Sequence, residues 1–357
     1  MGFEPGNTLP MSRRPHLLRS AALAASLLWT CNSGAAQADP PLYPNTEGFG
    51  VPFDKGEDWH RHCMRAARLA PPPAPVKPAM RCDATSRYYL KRDQASTSPG
   101  EWRQVQACAE ANGNDAVLMM LSANGYGAPR DLERAIYHAC KLDTAKAEME
   151  GRVAYLASPA AATDGQPFDL CDHITSGRMG GVCSAISEER DDRVRGARLE
   201  RFAASLPAPA RQPFARLRQA AEAFAAKSVH EVDMSGTGGA GFASRHTGRR
   251  DEEFMETLLK AASGKLPRAS AQELAQLDRQ LNVHYQKVMR IPSEQENHPE
   301  RIRYSTVERE AVRSTERVWL AYRDAWRPFL AAAGLRADPI SVQAMLTRQR
   351  IAQLKRI

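Results

Sequence analysis

Along most of the chain apolar residues recur every three or four positions, the spacing of one face of an α-helix. The clearest stripes lie at the C-terminal end. Leu274, Leu277, Leu281, Tyr285 and Val288 make one, opened by the capping-box pair Ser270 and Glu273. Ala311, Thr315, Val318, Trp319, Tyr322 and Trp326 make a second, opened by Ser305 and Glu308 and disrupted at Pro328. Val342, Met345, Leu346, Ile351 and Leu354 make a third, starting near Ser341 behind Pro339. Each stripe is narrow and must be covered by the others, which predicts a small helical bundle. Upstream, Phe214, Leu217, Ala221, Phe224 and Ala225 form another stripe that reads as core. From Trp102 onward, Leu118, Met119, Leu121, Leu132, Ile136 and Tyr137 predict helices on either side of a break at Gly125-Tyr126-Gly127 and Pro129. The expected fold class is all-α.

Proline and glycine divide these elements. Residues 39–100 read as an irregular, Pro-rich, Cys-containing segment, with Pro71-Pro72-Pro73-Ala74-Pro75 and Pro78 as an extended spacer. Residues 101–190 form a disulfide-containing helical region, and 191–232 connecting helices broken by Pro207, Pro209 and Pro213. Residues 233–268 read as a glycine-rich linker, Ser235-Gly236-Thr237-Gly238-Gly239-Ala240-Gly241, followed by a short helix. The bundle occupies 269–357.

Residues 1–38 have the pattern of a secretory signal. Arg13, Arg14 and Arg19 precede an apolar run over 21–29, and Ala36-Gln37-Ala38 offers a cleavage site. Met11 serves equally well as a start. The run is too short to span a bilayer. Cys31 has bulky Trp29 and Thr30 before it, which argues against a lipid anchor there. Cleavage after Ala38 leaves Cys63, Cys82, Cys108, Cys140, Cys171 and Cys183, an even number suited to disulfides in the periplasm or outside the cell. Six cysteines allow fifteen pairings; Cys171 and Cys183 are near enough for a local loop. The net charge is +8, and removing the leader's three Arg and one Glu leaves +6. Most of the excess lies in 271–357, with fifteen basic against ten acidic side chains. Interleaved charges in an exported chain read as solvated helical surface, with no nucleic-acid partner implied.

Two resemblances follow from particular residues. Ala111-Asn112-Gly113-Asn114-Asp115-Ala116, the run from Ala123 through Gly125 and Gly127 to Asp131, and Ala135-Ile136-Tyr137 with Ala139-Cys140 resemble one Sel1-like repeat. In such a helix pair the glycines permit the turn, Asp131 caps the second helix, and Ala116 and Ala135 allow close approach. The second Cys that Sel1-like proteins often carry eight residues on is Ala116 after Cys108 and Glu148 after Cys140, so the family's bridge does not transfer. A lone repeat must pack on other helices. In the C-terminal bundle, Asp278, Leu281, Asn282, Tyr285 and Met289, then Glu316-Arg317, Trp319-Leu320 and Tyr322-Arg323-Asp324, then Thr347, Arg350 and Leu354 resemble the LprI family of lysozyme inhibitors. The family's cysteines after the Arg-Asp pair are replaced here by Ala325-Trp326-Arg327, and a hydrophobic clasp by Trp326 can stand in for the bridge. Trp319 and Tyr322 read as buried. Asp278 is the expected partner of Arg323, and Arg350 that of Asp324.

No chemical motif points to a particular catalysis, although the absence of a motif does not exclude it. Gly236 to Gly241 fits G-x-G-x-x-G, but helical sequence precedes it and no βαβ pattern follows. His60, His62 and Cys63, and Cys171 with Asp172 and His173, lack zinc spacing, and their cysteines are expected in disulfides. No catalytic, cofactor or metal residue is assigned. The expectation is a non-catalytic binding protein, with lysozyme inhibition implied by the LprI resemblance. A Sel1-like envelope scaffold is the alternative and an unrecognised cell-wall enzyme a third. The basic bundle is ill matched to basic lysozymes, although Glu294, Glu296 and Glu300 supply local acidity between the first two helices.

Overall fold

A computed structural model describes residues 42–71, 81–163 and 165–357. The expected signal segment 1–38 and most of the proline spacer lie outside the described residues. Thirteen α-helices and no β-strand are found among those described: α1 (Asp58–Ala66), α2 (Ala84–Arg92), α3 (Pro99–Ala111), α4 (Asp115–Asn124), α5 (Leu132–Ala139), α6 (Lys146–Ala157), α7 (Pro159–Thr163), α8 (Gly177–Ser205), α9 (Ala208–Ser228), α10 (Gly239–Ser263), α11 (Ala271–Met289), α12 (Arg309–Ala333) and α13 (Pro339–Leu354). The fold is all-α.

The buried apolar residues fall into two clusters. The first runs from Trp59 to Ile186 and includes Tyr88, Tyr89, Met119, Met120, Ile136 and Met149. Three disulfides tie its helices: Cys63–Cys140 joins α1 to the end of α5, Cys82–Cys108 joins the approach to α2 with α3, and Cys171–Cys183 joins a loop to α8. Here α4 ends in Gly125 at φ +68°, and Gly127 follows at φ +82° with its backbone against Trp102. A side chain at Gly127 would meet Trp102 Cβ at 2.9 Å, so both conformation and space require glycine. Asp131 accepts from the Arg134 amide and caps α5, and Ala135 is fully buried.

The second cluster extends from Leu206 to Leu354. It is larger than the expected three-helix bundle because α9 and α10 belong to it. α12 presents Trp319, Tyr322, Trp326 and Phe329, an aromatic face too wide for α11 and α13 to cover. Phe224 of α9 stacks on Tyr322 at 5.7 Å, and Phe254 of α10 meets Trp326 edge-on at 6.0 Å. Trp326 is fully buried among Phe254, Tyr322 and Phe329.

Three expectations are corrected. The glycine run is not a flexible linker followed by a short helix: Gly239 begins a helix of 25 residues. Its Gly241 serves close packing, since a Cβ there would lie 3.1 Å from Ser184 Oγ of α8. A Cβ on Gly248 would collide with the Glu188 carboxylate of α8. The boundary near 190 is crossed by α8, whose early residues Met179 and Ile186 lie in the first core while Leu199 and Phe202 pack on the second. Pro328 lies inside α12 rather than ending it. Pro328 and Asp324 are both on the exposed side, so water reaches the carbonyl that the proline leaves free, and the apolar stripe continues to Phe329 and Leu330.

Candidate functional site

Two of the LprI-like residues, Glu316 and Arg350, meet in a buried ion cluster. Arg350 of α13 is fully buried and donates from Nε to Glu316 Oε2 at 2.8 Å. Its Nη1 and Nη2 grip Glu231 in a fork at 2.8 and 2.6 Å. Glu231 comes from the short 3₁₀ turn after α9. Burial alone would lower the Arg350 pKa, but the Glu231 and Glu316 carboxylates outweigh it and hold the guanidinium above its ordinary value. Glu316 is pushed up by burial, partly offset by Arg350. Alongside, buried Arg250 forms an ion pair with half-buried Glu253 at 2.9 Å, and Glu253 accepts from Gln353 at 3.0 Å. His246, on the same helix as that pair, shares a 3.0 Å hydrogen bond with Ser228; burial, then Arg250 and Arg249, lowers its pKa to about 4.

Arg323 donates to Asp278 across α11 and α12 at 2.8 Å, and its guanidinium lies 5.0 Å from the Trp319 ring. Asp324 does not meet Arg350. Its carboxylate is exposed and lies only loosely, at 3.9 Å, from Arg323 Nε. The helical period explains the exchange: Glu316 and Arg323 are seven residues apart and share the inward face, while Asp324 is rotated about 100° from Arg323. Leu281, Trp319, Tyr322, Thr347 and Leu354 are buried, Tyr285 is half-buried, and Asn282 is exposed. These residues build a framework, and most of them face away from any partner. Glu231, Arg250 and Glu253 escaped the sequence reading because each sits on a different element from Arg350, and no local pattern announces the convergence.

What the framework presents outward is the loop between α11 and α12. Ile302 and Val307 are buried and anchor it, joined by an Ile302 N–H donating to Val307 O at 2.9 Å. Ser305, expected to cap α12, instead donates to Ile302 O and accepts from the Val307 amide; the helix starts at Arg309. Asp233 receives the Thr306 amide at 3.0 Å, tying the loop to the segment before α10. Burial would raise the Asp233 carboxyl, but that amide and Ser235 hold it below its ordinary value.

Residues 260–354 match the family described as Lysozyme inhibitor LprI. The match covers about a quarter of the chain, and no curated protein and no solved structure matches. The LprI-like domain therefore comprises the end of α10 with α11, α12 and α13, and Glu231, which completes its buried ion cluster, lies outside the matched residues.

In the N-terminal core, Cys63 and Cys171 are both in disulfides, and no group of three or more His, Cys, Asp or Glu converges on a metal position among the described residues. An open groove of about 1500 Å³ runs between α3, α4 and α5, lined by Ala107, Glu110, Leu118, Tyr126, Leu132 and Tyr137. Pro71, the last residue described before 81, lines one end. No described helix is long and apolar enough to cross a membrane.

Proposed function

We propose that this protein is an exported, non-catalytic envelope protein whose C-terminal bundle binds and inhibits lysozyme. The observation that carries the reading is the LprI match over residues 260–354. Its motif side chains lie mainly in the core, which suits a binding scaffold: occluding a cleft requires a complementary surface and no reacting group. Export is supported by three disulfides and the leader-like pattern of residues 1–38. The test is turbidimetric lysis of cell walls by lysozyme in the presence of the purified, disulfide-intact protein. Dose-dependent loss of lysis is expected, and full activity at micromolar excess overturns the reading.

A second reading has one feature in its favour. The groove between α3, α4 and α5 lies where the sequence resembles a Sel1-like repeat, and its shape suits an envelope protein held by a scaffold. Ala107 is exposed on its wall. Ala107→Trp fills the groove and leaves lysozyme binding unchanged under the first reading. Loss of binding in that variant moves the functional surface to the N-terminal half.

A further inference from the structure

The loop between α11 and α12 is more rigid, and at one residue more oddly shaped, than a connection requires. Arg303 N donates to Pro292 O at 2.9 Å and Glu294 N to Arg303 O at 3.1 Å, so the two arms of the loop are stitched together. Ser293 Oγ donates to His298 O at 2.7 Å, and Gln295 Nε2 to Ser305 O at 3.0 Å. Arg309 reaches back from α12 to the carbonyls of Pro299 and Ile291. A loop held at so many points has little freedom left to lose on binding.

Within it Arg303 has φ +52°, a conformation uncommon outside glycine. No internal contact of its side chain explains this: the exposed guanidinium makes no ion pair or hydrogen bond with the described residues. Beside it Tyr304 is 72% exposed, more than any other aromatic side chain described. Strained backbone that presents an unpartnered Arg and Tyr to solvent is a reason to look for an external partner, since these residue types are favoured interface anchors.

We propose that this loop is the element that enters the substrate cleft of lysozyme, with Arg303 and Tyr304 leading. The inference rests on the lysozyme-binding reading above and says which surface performs it. A glycosidase cleft carries paired carboxylates, at least one of them ionised. The guanidinium fork of Arg303 matches a carboxylate, and the Tyr304 ring offers a flat amphipathic face to walls shaped for sugars. Charge along the loop agrees. Between residues 291 and 308 the chain carries Glu294, Glu296, Glu300 and Glu308 against Arg301 and Arg303. Arg301 is turned inward, donating to Gln295 at 3.0 Å. This leaves one free cationic side chain in an acidic stretch of an otherwise basic domain, the pattern that fits a basic enzyme with an acidic cleft.

The experiment measures lysozyme binding and residual lysis with the full-length, oxidised protein and with Arg303→Gly, Tyr304→Ala and the double variant. Glycine accepts the φ of Arg303, so Arg303→Gly removes the guanidinium while sparing the loop, and an unchanged thermal midpoint checks this. Each single change is expected to weaken binding about tenfold and the double about a hundredfold. A saturating N-acetylglucosamine trimer, which fills the cleft, is expected to compete. If the wild-type protein binds but the double variant stays within about threefold of it, or the trimer does not compete, the loop assignment is overturned and the lysozyme-binding reading survives. If the wild-type protein does not bind lysozyme at all, that reading fails and this inference with it.

Discussion

Between Trp59 and Ile186 the chain is closed by three disulfides around a core of Tyr, Met and Ala side chains. Between Leu206 and Leu354 there is no cysteine; a wide aromatic face is buried there and a guanidinium is held between two carboxylates. The first region gains stability by limiting what its unfolded chain can do, which tolerates short helices such as the eight-residue α5. The second has long helices and relies on native contacts that must all be present together. Their surfaces differ as well: the cross-linked region is concave between α3 and α5, while the cysteine-free region carries a rigid loop. A single helix, α8, contributes to both cores, so the regions are separately stabilised yet mechanically joined.

The comparison is broken most directly by reduction. The three disulfides close sequence separations of 77, 26 and 12 residues, each worth about 3–5 kcal/mol on loop entropy. Under thiol reductant, hydrogen exchange is expected to accelerate across α1 to α6 while α11 to α13 stay protected. Uniform loss of protection would mean that α8 fuses the regions into one cooperative unit.

Next in size is the ion cluster. Arg350→Ala leaves Glu231 and Glu316 facing each other in a buried site, at a cost of about 3–5 kcal/mol. Urea unfolding should show a large drop in midpoint that persists in the oxidised protein. Replacing all three groups together, with Arg350→Met, Glu231→Leu and Glu316→Leu, should recover most of that loss. A loss below about 1 kcal/mol for Arg350→Ala would show that water reaches the carboxylates and that the two regions differ less than their cores suggest.

How far this design was legible in the sequence depends on the range of the interactions. Helical stripes report local burial, so the three C-terminal helices and the α4–α5 pair were readable from spacing. Asp278 and Arg323 each project from a stripe whose inward face was already known, and the tie between them followed. The partners of Arg350 did not follow. Glu231 lies 119 residues away, in a turn whose only local signal is the end of α9. The glycine run from 236 misled because glycine signals both flexibility and close helix contact, and only the presence of α8 opposite Gly241 distinguishes them. Arg303 gave no warning at all, since nothing in Ile302-Arg303-Tyr304 demands a positive φ.

A smaller effect is expected from pH. His246 has its folded pKa depressed to about 4, below the ordinary 6.5, so the folded protein holds it neutral while the unfolded chain takes up a proton. Its contribution is fully present above pH 6.5, falls as the pH drops and is gone below about 4. Asp251, raised to about 6 by burial and then Asp192, acts with opposite sign: its contribution is present at low pH and lost as pH rises through 6. The two partly cancel in the wild-type protein. The informative quantity is therefore the difference between wild type and His246→Gln, which should favour the variant by about 1–2 kcal/mol at pH 4.5 relative to pH 7.5 after allowance for partial exposure. An invariant difference would place His246 in solvent and remove it from the cysteine-free core.

The smallest effect tests whether the remaining polar ties of the LprI-like framework matter as the Arg350 cluster does. Asp278→Asn removes the charge facing Arg323, but the Asp278 side chain is 42% exposed and the guanidinium keeps its place over Trp319. Solvent screens such a pair, so a loss of about 0.5–1 kcal/mol is expected, read as a slight fall in the urea midpoint. Lysozyme binding should be unchanged, because the tie lies between α11 and α12 rather than on the loop that follows. If Asp278→Asn weakens binding while stability holds, the contact surface extends down α11 from the loop, and the division between a buried framework and a contact loop has to be redrawn there.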